Sequence, residues 1–273
     1  MAEAIMPIMV AHVSGEHDIE YTDAFVTQLE AIWGEGFLSP GGAQEVAKIA
    51  EHLPVHGAHV LDIGTGAGAP AGLLVSAHGA AHVTTSDIEA PVQAKAQARF
   101  EAAGLADRIT PVLVTPGPMP FADAAFDGVF SKDSIVQVED KSTLFAEAFR
   151  VLKPGGWIAL SDWLRASENM TPEMHAYCFE GPITFNLVPI AETAAQLRAT
   201  GFSDVEQVDR SDWFVTQTRR EVEALEHGLE AELAQIIGAE AAASFAARTR
   251  LRHVVTQQGQ LRPGHLRARK PIV

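Results

Sequence analysis

Only one cysteine, Cys178, occurs among the 273 residues. It has no partner for an internal disulfide, and the chain has no set of thiolates for a structural metal. Cationic side chains are also scarce: 20 Lys and Arg stand against 35 Asp and Glu, a formal charge of −15. Such a chain is poorly suited to following a phosphate backbone or an acidic membrane surface, so neither a nucleic-acid nor a membrane partner is expected. No Lys or Arg precedes Lys48. The N-terminal stretch therefore lacks the positive region of a secretory signal and the arginines of a transit peptide, and a cytoplasmic location is expected. No apolar run reaches the length needed to cross a bilayer. His52, His56, His59, His78 and His82 fall at loop and strand starts without metal-ligand spacing; they are expected at the surface, and no metal site is expected. Repeats and low-complexity linkers are missing too. With 47% hydrophobic residues, the chain can build one sizeable α/β core with a smaller appendage.

What is present is organised around residues 59–87. An apolar run, Val60-Leu61-Asp62-Ile63, ends in glycines at alternate positions, Gly64, Gly66 and Gly68, and an Ala-rich segment follows. This predicts a strand, a tight turn and the start of a helix. Glycines there permit positive φ and let a ligand lie against bare backbone, while the amides opening the helix offer donors. A second strand, residues 82–85, carries Asp87 to its carboxyl end, where an open parallel sheet binds its ligands and a carboxylate can accept both hydroxyls of a ribose.

Around this centre, residues 1–18 read as an arm, and residues 21–33 as a helix stopped by Gly34 and Gly36. Residues 43–53 read as a second helix, stopped by Pro54. After Asp87 the spacing predicts a helix over 91–103, strands over 109–114 and 126–130, a helix over 144–152 and a strand over 157–161. Such alternation implies a parallel sheet with helices on both faces. Residues 162–189, with Trp163, Tyr177, Phe179, Gly181, Pro182 and Phe185, read as a cap over the strand ends. A helix over 191–199, a strand over 205–208, a long helical region over 214–247 interrupted near Gly238, and an antiparallel edge strand from Gly264 complete the pattern. The expected organisation is a single domain: arm and lid helices (1–56), cofactor core (57–164), inserted cap (165–190) and the C-terminal half of the fold (191–273). Arg262, Arg267, Arg269 and Lys270 are expected on a solvated strand face.

Gly64-Thr-Gly66-Ala-Gly68-Ala69 can also be parsed as G-x-G-x-x-A, the nicotinamide fingerprint, so the loop alone leaves the ligand open. An Asp inside the first strand, helices before that strand, and Lys153-Pro154-Gly155-Gly156 before a late strand together resemble the class I S-adenosylmethionine methyltransferases over residues 60–161. The resemblance implies a Rossmann-like, mostly parallel sheet with an antiparallel last strand, and S-adenosyl-L-methionine as cofactor. Outside the core the chain is similar to the phosphoethanolamine N-methyltransferases at Tyr21-Thr22-Asp23, at Phe37–Gly42, at Ser131–Gln137, and at Leu152–Gly156 with Ser161-Asp162. On that resemblance Tyr21 and Asp133 would be catalytic, and Ser39, Gly64, Asp87, Ile88 and Lys132 would line the cofactor. Asp62, Gly66, Gly68 and Thr115 join the expected cofactor set.

The chain also departs from the family. Lys132 stands where the family has Arg, and Gln137 where it has a His that pairs with the Tyr. Thr115-Pro116 replaces an acidic residue expected to meet the adenine, Trp163 replaces a Tyr, and residues 177–189 show no match for the Tyr and Arg that grip the substrate phosphate. Trp33, Phe37, Trp163, Tyr177, Phe179 and Trp213 could wall a site for a methylated ammonium, and Trp33, Gln137, Trp163 and Tyr177 are the expected acceptor contacts. The expected activity is methyl transfer to the nitrogen of a small amine-bearing metabolite, with a proton taken or relayed by Asp133 or Tyr21, or with only the neutral amine admitted. Two other readings stay open: methylation of oxygen or carbon in a bulkier natural product, and cofactor binding without turnover. The sequence leaves the oligomeric state undetermined.

Overall fold

The computed structural model describes residues 21–181 and 183–272. The expected N-terminal arm lies outside the described residues, as does Pro182 of the cap. Seven strands form one sheet, β1 (His59–Ile63), β2 (His82–Asp87), β3 (Ile109–Leu113), β4 (Phe126–Lys132), β5 (Leu152–Asp162), β6 (Ser203–Asp209) and β7 (Gly264–Arg269), in the order β3-β2-β1-β4-β5-β7-β6. The pairings from β3 through β5 are parallel, while β7 runs antiparallel to both β5 and β6.

Period-two alternation along the central strands decides which helices cover which face. Val60, Phe130, Trp157 and Ala159 point to one side and pack under α2 (Gly42–Ile49), α3 (Ala69–Ser76) and α4 (Ala90–Ala102) through Val46, Leu74 and Phe100. Their neighbours Leu61, Val129, Ile158 and Leu160 point to the other and meet α5 (Lys141–Val151) and α7 (Ile190–Thr200) through Leu144, Phe145 and Leu197. Gly128, on β4, lies under the Trp157 ring, and a Cβ built there would sit 2.2 Å from Trp157 Cζ2. Gly128→Ala is therefore expected to overpack a fully buried site and cost about 1–3 kcal/mol of stability, seen as an earlier denaturant midpoint with an unchanged slope.

The long helical region differs from its sequence reading. It runs as α8 (Ser211–Ala224), a π-turn (Leu225–Leu229), α9 (Glu230–Ile237) and α10 (Ala239–Gln257), and its first break is at Gly228, with φ 120°, ahead of the one at Gly238. The cap contains a helix, α6 (Pro172–Phe179), started by Thr171, whose hydroxyl accepts from Met174 N at 3.2 Å. Leu225, Leu233 and Phe245 of the C-terminal helices pack on Leu29 of α1 (Asp23–Trp33). Thr22 caps α1 and Tyr21 precedes it.

The C-terminal strand is a further correction. β7 lies between β5 and β6 and is not an edge, and of the four basic residues expected on a solvated face Arg262 is exposed, Arg269 and Lys270 are half-buried and Arg267 is buried. Arg267 is buried, with Nε on Ile49 O at 2.9 Å and Nη1 on Glu206 at 3.0 Å. His265 is buried against Glu45 Oε1 at 2.6 Å, and Arg210 meets the other Glu45 oxygen at 2.7 Å. Burial works against the Glu45 charge, but the His265 and Arg210 hydrogen bonds outweigh it and hold that carboxyl at about 2. Polar residues can occupy an internal strand here because α2 offers carbonyls and a carboxylate to receive them. His59 and His82 are also less exposed than expected: both are half-buried, their rings 5.1 Å apart.

Candidate active site

Two adjoining cavities open at the carboxyl ends of β1, β2 and β4. The larger, about 180 Å³, is lined by the glycine turn and by Ser39, Asp87, Ile88, Thr115 and Lys132. Gly64 and Gly66 take φ of 69° and 55°. At Gly64 there is no room for a side chain, since a Cβ would lie 2.3 Å from Ser134 Oγ, a hydroxyl that donates to Gly64 O at 2.8 Å. Asp87 closes the turn from β2: Oδ2 accepts from Gly66 N at 2.9 Å and Oδ1 from Glu89 N at 3.0 Å. Gly68 differs from its expected role. It does not line the cavity but starts α3 beneath Phe100, whose ring a Cβ would meet at 2.9 Å.

Asp62 is buried under the turn and not exposed in the cavity, and its Oδ2 has no hydrogen-bond partner among the described residues. Burial pushes its carboxyl up to about 7, and the nearby Asp87 adds to the rise. A buried carboxylate oxygen short of a donor, below a bare backbone cradle with a second carboxylate at its side, suits a ligand carrying an amine and a ribose.

Asp133 follows β4 in a left-handed conformation, φ 56°. Its Oδ1 accepts from Ser161 Oγ, and its Oδ2 accepts from Lys132 Nζ at 2.8 Å. Lys132 Nζ also donates to Ser39 Oγ at 2.5 Å and Pro40 O at 2.8 Å. All three ammonium hydrogens are thus committed, so Lys132 ties the loop between α1 and α2 to β4 while its side chain borders the cavity. The next turn, Ile135–Gln137, is held from below: Asp162 Oδ1 accepts from Val136 N at 2.9 Å, and Lys141 Nζ donates to Ile135 O at 2.7 Å and Val138 O at 2.8 Å. Burial lifts the Asp162 carboxyl to about 7, against the pull of Lys141.

The smaller cavity, about 70 Å³, brings together Tyr21, Trp33, Asp133, Gln137, Trp163 and Tyr177, all expected near the acceptor or the chemistry. Gln137 Nε2 donates to Tyr21 Oη at 2.6 Å, and burial pushes this hydroxyl up to about 12. Three of the expected aromatics are elsewhere: Phe37 lines the larger cavity, Phe179 is exposed, and Trp213 lies under Arg210, 4.8 Å from ring to guanidinium.

Two arginines of α10 were missed by the sequence reading. Arg252 is buried, with Nη2 on Glu221 Oε2 at 2.5 Å, and Glu221 Oε1 accepts from Trp33 Nε1 at 2.9 Å. Arg248 stacks 4.6 Å from the Tyr177 ring and donates to Tyr177 O at 2.7 Å, but pairs with no carboxylate among the described residues. Their spacing of four places both on one helix face, which was the only signal available. Among the described residues no group of three or more His, Cys, Asp or Glu is placed to hold a metal ion, and no helix is long and apolar enough to cross a membrane.

A 3-2-1-4-5-7-6 sheet with one reversed strand, and a glycine turn backed by an acidic residue at the end of β2, defines a nucleotide-binding α/β protein of the Rossmann-like methyltransferase class. Comparison with known proteins gives the family. Residues 61–160 match the model described as a methyltransferase domain. Phosphoethanolamine N-methyltransferase 1 of Arabidopsis thaliana is 28% identical over 210 residues, 77% of this chain and 42% of that protein. The O-methyltransferase rstn1 of Aspergillus nomiae is 31% identical over 60% of this chain and 73% of its own length. Among solved structures, Haemonchus contortus phosphoethanolamine N-methyltransferase 2, in complex with phosphomonomethylethanolamine and S-adenosylhomocysteine, superposes with a TM-score of 0.84 at 25% identity, over 92% of this chain and 58% of that one. The chain belongs to the class I S-adenosylmethionine-dependent methyltransferases related to the phosphoethanolamine N-methyltransferase family. It spans less than half the length of the plant relative.

Proposed function

We propose that the larger cavity holds S-adenosylmethionine and the smaller one a small amine that carries an anionic group, whose nitrogen is methylated. The cofactor supplies an electrophilic methyl group on a sulfonium. Asp87 would receive the ribose hydroxyls, Gly64 and Gly66 would offer bare backbone, and Asp62, buried beneath the turn, would favour the positive end of the methionine portion by its charge. Ser39, Ile88, Thr115 and Lys132 border the same cavity. Tyr21 and Gln137, which line both cavities, would orient the nitrogen where they meet.

The observation that carries the acceptor class is Arg248. A half-buried guanidinium on aromatic faces without a carboxylate partner is costly unless its ligand supplies the countercharge. Trp33, Trp163 and Tyr177 would face the methylated product, a cation favoured over aromatic rings. The test is release of S-adenosylhomocysteine in the presence of ethanolamine, glycine, phosphoethanolamine and their N-methyl forms. Arg248→Leu is expected to raise KM for the carboxylated or phosphorylated acceptor by roughly 10–100-fold, since an ionic hydrogen bond of about 1.5–3 kcal/mol is lost, and to leave KM for ethanolamine nearly unchanged. Equal effects on both kinds of acceptor would remove Arg248 from substrate recognition.

A second reading, O-methylation of a bulkier acceptor, is favoured by the fungal O-methyltransferase relative. Phenolic and polyketide-like acceptors in the same assay separate the two, and turnover of these alone would decide for it.

A further inference from the structure

Among the described residues the acceptor chamber has no carboxylate or imidazole free of a cationic partner. Among the described residues that line it, the titratable ones are Tyr21, Asp133, Tyr177, Arg248 and Arg252. The two guanidiniums are donors only. Tyr21 Oη already accepts the Gln137 amide hydrogen at 2.6 Å, and a carboxamide cannot take a proton onward at neutral pH. Tyr177 is buried, which raises its hydroxyl above the ordinary range although Arg252 and Arg248 pull it down. Each oxygen of Asp133 accepts a hydrogen bond, one from Ser161 and one from Lys132, and Lys132 is itself fixed to Ser39 and Pro40.

The charges that face the Tyr21 hydroxyl come from four places. Asp87 of β2 and Glu89 beyond it raise its proton affinity, while Asp133 with its partner Lys132 at the end of β4, and Arg248 and Arg252 of α10, line the cavities with it. Arg252 is paired with Glu221 and Lys132 with Asp133, and the acceptor's own anion would pair with Arg248, so no unpaired carboxylate among the described lining residues is left to balance an ammonium.

Resting on the reading that an amine nitrogen is methylated, we infer that this protein binds and methylates only the unprotonated amine: Gln137 donates to Tyr21, the Asp133 charge is paired with Lys132, and no unpaired carboxylate among the described lining residues is there to hold an ammonium. The proton passes from the free ammonium to bulk water before binding and the lone pair stays on nitrogen. That lone pair takes the methyl group while sulfur keeps the bonding electrons, and the product leaves as an ammonium cation.

The experiment is titration calorimetry of the full chain saturated with S-adenosylhomocysteine, using the amine that supports turnover, in phosphate and in Tris buffer below the amine's pKa. About one proton released to buffer per amine bound is expected, and kcat/KM should rise about tenfold per pH unit up to a break that follows the pKa of each amine tried. Gln137→Glu, of the same shape, adds a proton acceptor beside Tyr21, so proton release should fall toward zero and the pH slope should flatten. No proton release by the wild type, a break common to all amines, or unaltered release in Gln137→Glu each overturns the inference. If no amine binds while S-adenosylhomocysteine does, the amine reading itself fails and the inference falls with it.

Discussion

Asp87→Ala is expected to weaken S-adenosylhomocysteine binding by roughly 100-fold or more, because ionic hydrogen bonds are worth about 1.5–3 kcal/mol each and two ribose hydroxyls are at stake. The carboxylate also shapes the turn: it receives Gly66 N at 2.9 Å and Glu89 N at 3.0 Å, so its removal leaves two amides of the binding loop without a partner. Asp87→Asn keeps one acceptor oxygen for Gly66 and should fall between Ala and wild type. Calorimetry with S-adenosylhomocysteine, alongside a denaturation curve for each variant, separates lost affinity from lost fold. Affinity within about threefold of wild type for a folded Asp87→Ala would place the ribose elsewhere.

The second large effect concerns Asp62, where stability and binding are expected to move in opposite directions. Its folded carboxyl sits near 7, above its ordinary value of 3.8, because burial penalises the charge. A carboxyl raised on folding binds its proton more tightly in the native state, so the ligand-free protein loses stability as pH rises from about 4 to 7, and the loss is complete above that window. Asp62→Asn removes the penalty. The ligand-free variant should be more stable than wild type at pH 8 by an amount on the order of 3 kcal/mol, and by less at pH 5. Asp162, also raised to about 7, would keep a residual slope of the same sign in both proteins. The same substitution should weaken cofactor binding, since the buried charge that would attract the amine is gone. Melting temperatures at both pH values, with and without S-adenosylhomocysteine, give the two readouts. A variant destabilised at pH 8, or one with undiminished ligand stabilisation, would count against this role.

The turn proposed to hold the cofactor was readable as structure because it is local. A strand, three glycines and an Asp at the next strand's end lie within about thirty residues, and their placement follows from backbone conformation and the end of a parallel strand. Even there one glycine was misassigned: Gly68 serves the packing of α3 on Phe100, a contact with α4 that the spacing of glycines does not encode. Element boundaries shifted by a few residues, as where α2 ends at Ile49 ahead of Pro54, because the chain turns before the proline requires it.

The smaller cavity, proposed for the acceptor, was only partly readable. Tyr21, Trp33, Gln137, Trp163 and Tyr177 were expected there and are brought together, yet the arginines that set the charge of the chamber come from α10. The misreading of β7 has the same origin: alternating polar residues suit an exposed strand, and only the carbonyls of α2 and the Glu45 carboxylate make an internal position tolerable for Arg267 and His265.

The sequence alone determined the alternating α/β sheet, the glycine turn and the acidic residue that closes it, since each depends on neighbours a few residues away. Tertiary structure alone decided that Lys132 is spent on Ser39, Pro40 and Asp133, that Gln137 reaches Tyr21 across 116 residues of chain, and that Trp33 and Glu221 meet across 188. Those pairings depend on how helices from the two ends of the chain pack over one sheet, and no local periodicity carries that information.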